Sequence, residues 1–274
     1  MSQQTPASTF EQVSAVTPQS DGSFTAHIDE RWTVVGNPNG GYLQGIMSRA
    51  AQAMSPHPHV ITASTHFLRA PHTGPAQLTV HTLREGRNAS QLRVDLVQDN
   101  EIKAETTFTF ADLSSAEPQP QWASADLPVV GTEFAQCPRF VPPREVFPVE
   151  ILHQVSLHLD AESLAFTAGS PRGLGKLSGW LELPESEPFS PASLLLAADV
   201  FPPATFDIDM SGWVPTLELT TYVRALPAPG PIHVTFQANL IAGNRVDETC
   251  TIHDSAGTVV AQSHQLAGIR LGGK

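Results

Sequence analysis

Cysteine is nearly absent from the 274-residue chain, where only Cys137 and Cys250 occur. Two lone thiols make no disulfide framework and fit a reducing compartment. Basic residues are also scarce, 15 Lys and Arg against 27 Asp and Glu, for a formal charge of −12. That balance argues against a nucleic-acid footprint or an anionic membrane surface, and any anionic ligand must meet a local basic patch. Long hydrophobic runs are missing, and the start MSQQTPASTFEQV has neither the basic opening nor the apolar stretch of a secretory signal. A cytoplasmic protein with no membrane span is expected.

Several chemistries lack their residues. No GlyXaaSerXaaGly occurs, so a serine nucleophile elbow is unsupported. GGYLQG at 40–45 carries Ile46 and Met47 where a phosphate loop needs Lys and Ser or Thr. GLGKLSG at 173–179 lacks dinucleotide-fingerprint spacing and reads as a turn between strands. His57 and His59 have no further ligands clustered nearby, so SPHPH reads as a polar loop. No metal and no cofactor is expected.

What is present is a chain with 41% hydrophobic and 15% charged residues, able to bury a core as one large domain or two small ones. It repeats itself. THFLRAPHTGP, from Thr65, returns as TTYVRALPAPGP, from Thr220, so that Phe67 matches Tyr222 and Arg69 matches Arg224, 155 residues apart. The same offset matches Asp99 with Asp254, in LVQDNEIKAET and TIHDSAGTVVAQS. A shared order of strand, turn and strand at so long a period implies a duplicated domain.

Each copy reads as a helix followed by strands. In the first, Asn39 is a candidate N-cap for a helix with Leu43, Ile46, Met47, Ala50 and Met54 on one stripe. Four alternating segments follow, ASTHFLRA, AQLTVHTLRE, SQLRVDLVQD and EIKAETTFTF. In the second, Ser190 and Pro191 open SPASLLLAADVF, and PTLELTTYVRA, IHVTFQANLI, VDETCTIHD and TVVAQSHQLAG alternate as strands. Scattered prolines between the copies deny a regular helix or central strand there. The expected organisation is an N-terminal unit 1–113, a Pro-rich linker 114–148 and a C-terminal unit 149–274, an α+β arrangement in which two antiparallel sheets each wrap a central helix.

Asp199 stands out before any family is considered. It follows Leu194, Leu195, Leu196, Ala197 and Ala198. Such a helix is apolar nearly all round and therefore buried. Burial and the helix C-terminal dipole both raise a carboxylate's pKa there. The residues alone leave two readings open: a functional carboxylate, or a cap for the turn that follows.

NGGYLQGIMSRAA, the pair THFLRAP and TYVRALP, GluGlyArg at 85–87 and the C-terminal DSAGTVVAQSHQLAG together resemble the acyl-CoA thioesterase II (TesB-like) family from roughly residue 20 onward. The resemblance implies a tandem double hotdog fold and hydrolysis of an acyl-CoA substrate to free fatty acid and coenzyme A. It implies that Asp199, Thr216 and Gln265 hold the hydrolytic water, with Asp199 as general base or orienter. Thr216 in a strand has a purely structural alternative, and Gln265 shares its strand face with Ala261 and Ser263. At the 155 offset Thr216 faces Ile61, and Gln265 falls opposite Phe108, so the polar set belongs to the second copy.

Gly40 and Gly41, at the start of the first helix, are the expected oxyanion donors, since free N–H groups and the dipole meet there; a tight loop-to-helix turn explains them equally well. Substitution at Gly41 is expected to harm activity more than stability. Arg69, Arg87, Arg224 and Arg245 are candidates for the phosphate patch. A hydratase of this fold would carry His five residues after the Asp, where Ala204 stands. The alternative function is a non-catalytic acyl-chain-binding or scaffold protein of the same fold. By fold analogy a homo-oligomer is expected.

Overall fold

The computed structural model describes residues 9–114, 120–145, 147–210, 212 and 214–271; within the expected linker, 115–119 and 146 lie outside the described residues. The first half runs α1 (Phe10–Val13), β1 (Thr17–Pro18), β2 (Phe24–Ile28), the small ladder β3 (Thr33–Val34) and β4 (Asn37–Pro38), α2 (Gly40–Met54), β5 (His59–Phe67), β6 (Gly74–Glu85), β7 (Ser90–Gln98) and β8 (Glu101–Ala111). The second runs β9 (Ser156–Leu159), β10 (Lys176–Glu182), α3 (Pro191–Ala197), β11 (Thr216–Val223), β12 (Ile232–Ala242), β13 (Arg245–His253) and β14 (Val259–Gly268).

All eight strands expected from alternation are present, and β1 to β4, β9 and β10 are additions. They are short, and β10 hides its periodicity. A Cβ at Gly179 would stand 2.1 Å from the carbonyl oxygen of His158, so the close pairing of β9 and β10 requires glycine there. The turn expected over 173–179 is confined to its first residues, with φ +77° at Gly173 and +61° at Gly175. Strand β10 starts at Lys176.

The expected pair of separate sheets is corrected by the pairing of β5 with β11. It joins both halves into one 12-stranded sheet of order β1-β2-β6-β7-β8-β5-β11-β14-β13-β12-β10-β9. At the seam Glu218 lies opposite His66, and Tyr222 opposite Thr62. The stretch that the sequence repeats is therefore the stretch that pairs with its own copy. Outward from the seam each half follows the same strand order, closed by tight hairpins. Asp99 and Asn100, at φ +56° and +59°, turn β7 into β8, while Gly243 and Asn244, at +58° and +59°, turn β12 into β13.

Helix α2 lies against β5 to β8, α3 against β5 and β11, and the two helices pack on each other. One buried cluster runs through both halves, from Leu43 and Phe108 to Leu195 and Ile252. Leu194, Leu195 and Leu196 are each fully enclosed, and such burial stabilises by roughly 1.5–3 kcal/mol per side chain. Between the halves, the chain at 132–140 lies on β9 and β10. The Trp180 indole donates to the Thr132 carbonyl at 2.8 Å, and the Phe140 N–H donates to the Leu157 carbonyl at 2.8 Å.

Beneath the seam sits a polar knot. Gln44, fully buried on α2, donates from Nε2 to Thr65 Oγ1 at 2.8 Å and to the Leu219 carbonyl at 3.1 Å, and accepts from Thr221 at 3.4 Å. Thr65 in turn bonds Thr106 at 2.8 Å. One amide thus fixes the register of β5 against β11, because a slip by one residue would leave these buried groups unpaired. We expect Gln44→Leu to lower the unfolding free energy by about 1–3 kcal/mol in urea titration. An unchanged transition midpoint would show that the knot contributes nothing to the seam.

Candidate active site

Helix α3 ends at Ala197 with Ala198 as its C-cap, and Asp199 follows. Its own helix therefore turns a negative end toward the carboxylate, as the sequence implies. The adjoining helix supplies the opposite end. Asp199 Oδ2 accepts from the Gly41 backbone N–H at 2.9 Å and from Asn39 Nδ2 at 3.0 Å, and Asn39 Nδ2 also reaches the Asp199 carbonyl at 2.9 Å. Asn39 has two tasks, because its Oδ1 caps α2 by accepting from the Tyr42 N–H at 2.9 Å. Asp199 Oδ1 takes part in none of these bonds.

Burial is the largest influence on this carboxyl and pushes its pKa up to about 6. The Gly41 and Gly40 N–H groups and the Asn39 amide favour the anion but do not cancel burial, and the Glu248 charge adds to the rise. The result is a carboxylate ionised at neutral pH and far more basic than an exposed one.

Asp199 opens on a cavity of about 350 Å³, whose wall also includes Thr216 and Gln265. The three residues singled out in the sequence therefore converge, from the end of α3, the start of β11 and the middle of β14. Thr216 Oγ1 donates to Gln265 Oε1 at 3.3 Å. Gln265 Nε2 donates to Glu248 Oε2 through a short bond. The rest of the wall is largely apolar and rich in phenylalanine, with Phe67, Phe147, Phe201, Phe206 and Phe236. Of the four candidate arginines, Arg69 lines this cavity; it pairs with Glu101 at 3.4 Å. Arg224 lines a separate depression beside Lys176.

Gly40 and Gly41 are at the site, but the Gly41 N–H already has a partner in Asp199, so it is not the free oxyanion donor expected from the sequence. These glycines instead let the start of α2 approach α3. A Cβ at Gly41 would stand 2.6 Å from the Leu195 carbonyl oxygen, and one at Gly40 would stand 3.0 Å from Asp199 Oδ2. His57 and His59 are engaged locally, with Ser90 Oγ at 2.8 Å and the Leu113 N–H at 3.0 Å, and no cluster among the described residues suits a metal ion.

Two residues at the site were not anticipated in that role. Asn39 reads as a cap, and nothing in the sequence marks its second task. Glu248 had a signal: Val246, Glu248, Cys250 and Ile252 alternate on one strand face, which places an acid in an apolar row. The row is buried, and Glu248 is 1% exposed.

Residues 28–111 match the family model described as the acyl-CoA thioesterase N-terminal domain, and residues 133–269 match its C-terminal counterpart. The chain belongs to the acyl-CoA thioesterase family. It is similar to the crystal structure of a candidate thioesterase II from Thermobifida fusca YX, with 28% identity, a TM-score of 0.86 and coverage of 97% of this chain and 99% of that one. A hotdog-fold protein of unknown function from Alicyclobacillus acidocaldarius superposes with a TM-score of 0.81 at 19% identity, over 96% and 98% of the two chains, which identifies the fold as hotdog. An uncharacterized protein of Mycobacterium tuberculosis (strain ATCC 25618 / H37Rv) is 27% identical over 261 residues, 89% of this chain and 90% of the relative. Among the described residues no helix is long and apolar enough to cross a membrane.

The backbone contact at Gly41 reverses the expectation for its substitution. Gly41→Val is predicted to destabilise the fold, read as a lowered melting temperature or loss of soluble protein, because the new side chain meets main chain that cannot yield. An unchanged melting temperature would mean that the two helices do not pack as closely as described.

Proposed function

We propose that the protein is a tandem double hotdog thioesterase that hydrolyses acyl-CoA through a water held by Asp199, Thr216 and Gln265, with hotdog units at 1–113 and 149–274 joined by 114–148. The observation that carries this reading is the convergence of those three side chains on one phenylalanine-rich cavity. An acyl chain suits such a wall, since burial of its methylenes is favourable by about 0.8 kcal/mol each. Arg69, half-exposed on the same wall, is the cation we assign to an anionic group of the substrate.

The hydrogen-bond polarity suggests how the water is oriented. With its hydroxyl proton directed to Gln265 Oε1, Thr216 offers a lone pair and accepts one proton of the water. Asp199 accepts the other. Both water protons are then committed, and a lone pair is left for the thioester carbonyl carbon. As the water oxygen bonds to that carbon, its proton passes to Asp199. The tetrahedral intermediate collapses with cleavage of the C–S bond, and the proton on Asp199 neutralises the departing thiolate. A base with a pKa near 6 suits this work at neutral pH, being ionised yet basic enough to take a proton. Gly41 and Asn39 hold the base in this scheme and do not serve the oxyanion.

The test is thiol release from acyl-CoAs of graded chain length, with wild type and Asp199→Asn side by side. Wild type is expected to release thiol from at least one member, and the Asp199→Asn variant to turn over at least ~100-fold more slowly. The variant should unfold at an equal or higher temperature at neutral pH. A carboxyl whose folded pKa lies above its unfolded value stabilises the fold only at low pH and loses that contribution as pH rises through about 6. No release from any member, with tight binding of one, would favour an acyl-binding protein instead.

A further inference from the structure

Glu248 is a buried acid without a structural counterion. It projects from β13 between Val246 and Cys250 on the face turned to the core, opposite Gln265 of β14 in the strand register. Its Oε2 accepts from Gln265 Nε2, and the Ala204 and Thr205 backbone N–H groups are turned toward the carboxyl without making a close hydrogen bond to Oε1. No arginine, lysine or histidine pairs with it among the described residues, whereas the similarly buried Asp207 has the Arg172 guanidinium at 2.9 Å. A lone buried charge of this kind is costly in an apolar row, and replacing it with an apolar residue of similar size is often neutral or stabilising. Its presence against that cost calls for a role in the site.

Resting on the thioesterase reading above, we propose that Glu248 is a positioning residue that fixes the Gln265 carboxamide and, through it, the Thr216 hydroxyl. A carboxylate accepts hydrogen bonds and donates none. Facing Glu248, the amide presents Nε2 to it and turns Oε1 to Thr216, and the Thr216 proton is drawn away from the water. The order Glu248, Gln265, Thr216 thus decides that Thr216 receives a proton from the water. If the amide were reversed, Nε2 would donate to Thr216, whose hydroxyl proton would then point at the water and compete with Asp199 for its orientation.

The second effect is electrostatic. The Glu248 charge disfavours the Asp199 anion through the protein interior. Beside the two carboxyls lies the Cys250 thiol, on the same strand face as Glu248 and held neutral, its pKa raised chiefly by burial. Asp247 is Glu248's neighbour on the opposite strand face, paired with His264 at 3.6 Å and Asn239 at 3.2 Å. The Glu248 carboxyl itself is raised, first by burial, against the pull of the Gln265 amide and of the Ala204 and Thr205 backbone N–H groups that face it.

Glu248→Gln keeps the shape and removes the charge, and Glu248→Met removes the acceptor as well. The readouts are melting temperature, kcat, KM and the acid limb of kcat/KM for the best acyl-CoA of the panel. Both variants are expected to fold and to move the acid limb to lower pH than in wild type, and Glu248→Met, which leaves the Gln265 amide without its acceptor, to lower kcat about 10-fold or more while KM changes less than about 3-fold. Asp247→Asn, which removes a like charge from the outer face, should leave the limb where it is. Full activity and an unmoved limb in folded Glu248→Gln would overturn the proposal. So would a rate loss that only tracks a fall in melting temperature with the limb unmoved, since that is a structural role. If Glu248→Gln does not fold, Glu248→Met decides by the same criteria. Wild type inactive on every acyl-CoA would instead overturn the thioesterase reading on which the proposal stands.

Discussion

The bond from the Gly41 N–H to Asp199 Oδ2 joins the two halves of the molecule at the point where the chemistry is proposed. The carboxylate comes from the second half and its seat from the first. Asp199 is carried by a helix whose own dipole end repels its charge, and held by a second helix whose N-terminus attracts it. Neither half could supply this environment alone. The fusion of β5 to β11 and the close crossing of α2 over α3 are what bring the two dipole ends together at one carboxylate.

The same arrangement explains why α2 opens on two glycines. Gly40 and Gly41 admit α3 to within contact of the α2 backbone, and the Leu195 carbonyl oxygen, the Leu196 Cα and the Asp199 side chain form the other side of the approach. Gln44, one turn further along α2, then bonds both seam strands. The helix start, the seat of Asp199 and the contact with the seam are therefore spaced along one helix. A displacement of α2 would disturb all three, which makes the position of this helix the shared constraint on fold and site.

Much of this was legible in the sequence because the signals were local. Alternation exposed the eight long strands, and Asn39, Ser190 and Pro191 announced their helices by cap chemistry. Asp199 was conspicuous as an acid closing an apolar helix. What could not be read were relations across the chain. Nothing near Gly41 indicates that its N–H meets a carboxylate 158 residues away, so the sequence points to free donors where Asp199 is seated. Duplication indicated two sheets, but whether two copies stay apart or merge depends on edge pairing, which is a tertiary matter. Glu248 is legible in principle, as the one acid on the strand face shared by Val246, Cys250 and Ile252, but the strand otherwise alternates like its neighbours. The edge strand β10 was obscured by the glycine that its close partner demands.

The claim on which the account rests is that an enclosed Asp199, held by α2 and raised by burial, is the base. The direct measurement is kcat/KM for acyl-CoA hydrolysis by wild type as a function of pH, followed by thiol release under conditions where the protein stays folded. The account predicts an acid limb on which the rate falls to half near pH 6 and continues downward with a slope of one proton. A rate that stays level down to the ordinary carboxylate range near 3.8 would contradict it, and would mean that Asp199 either is not the base or is not enclosed in solution.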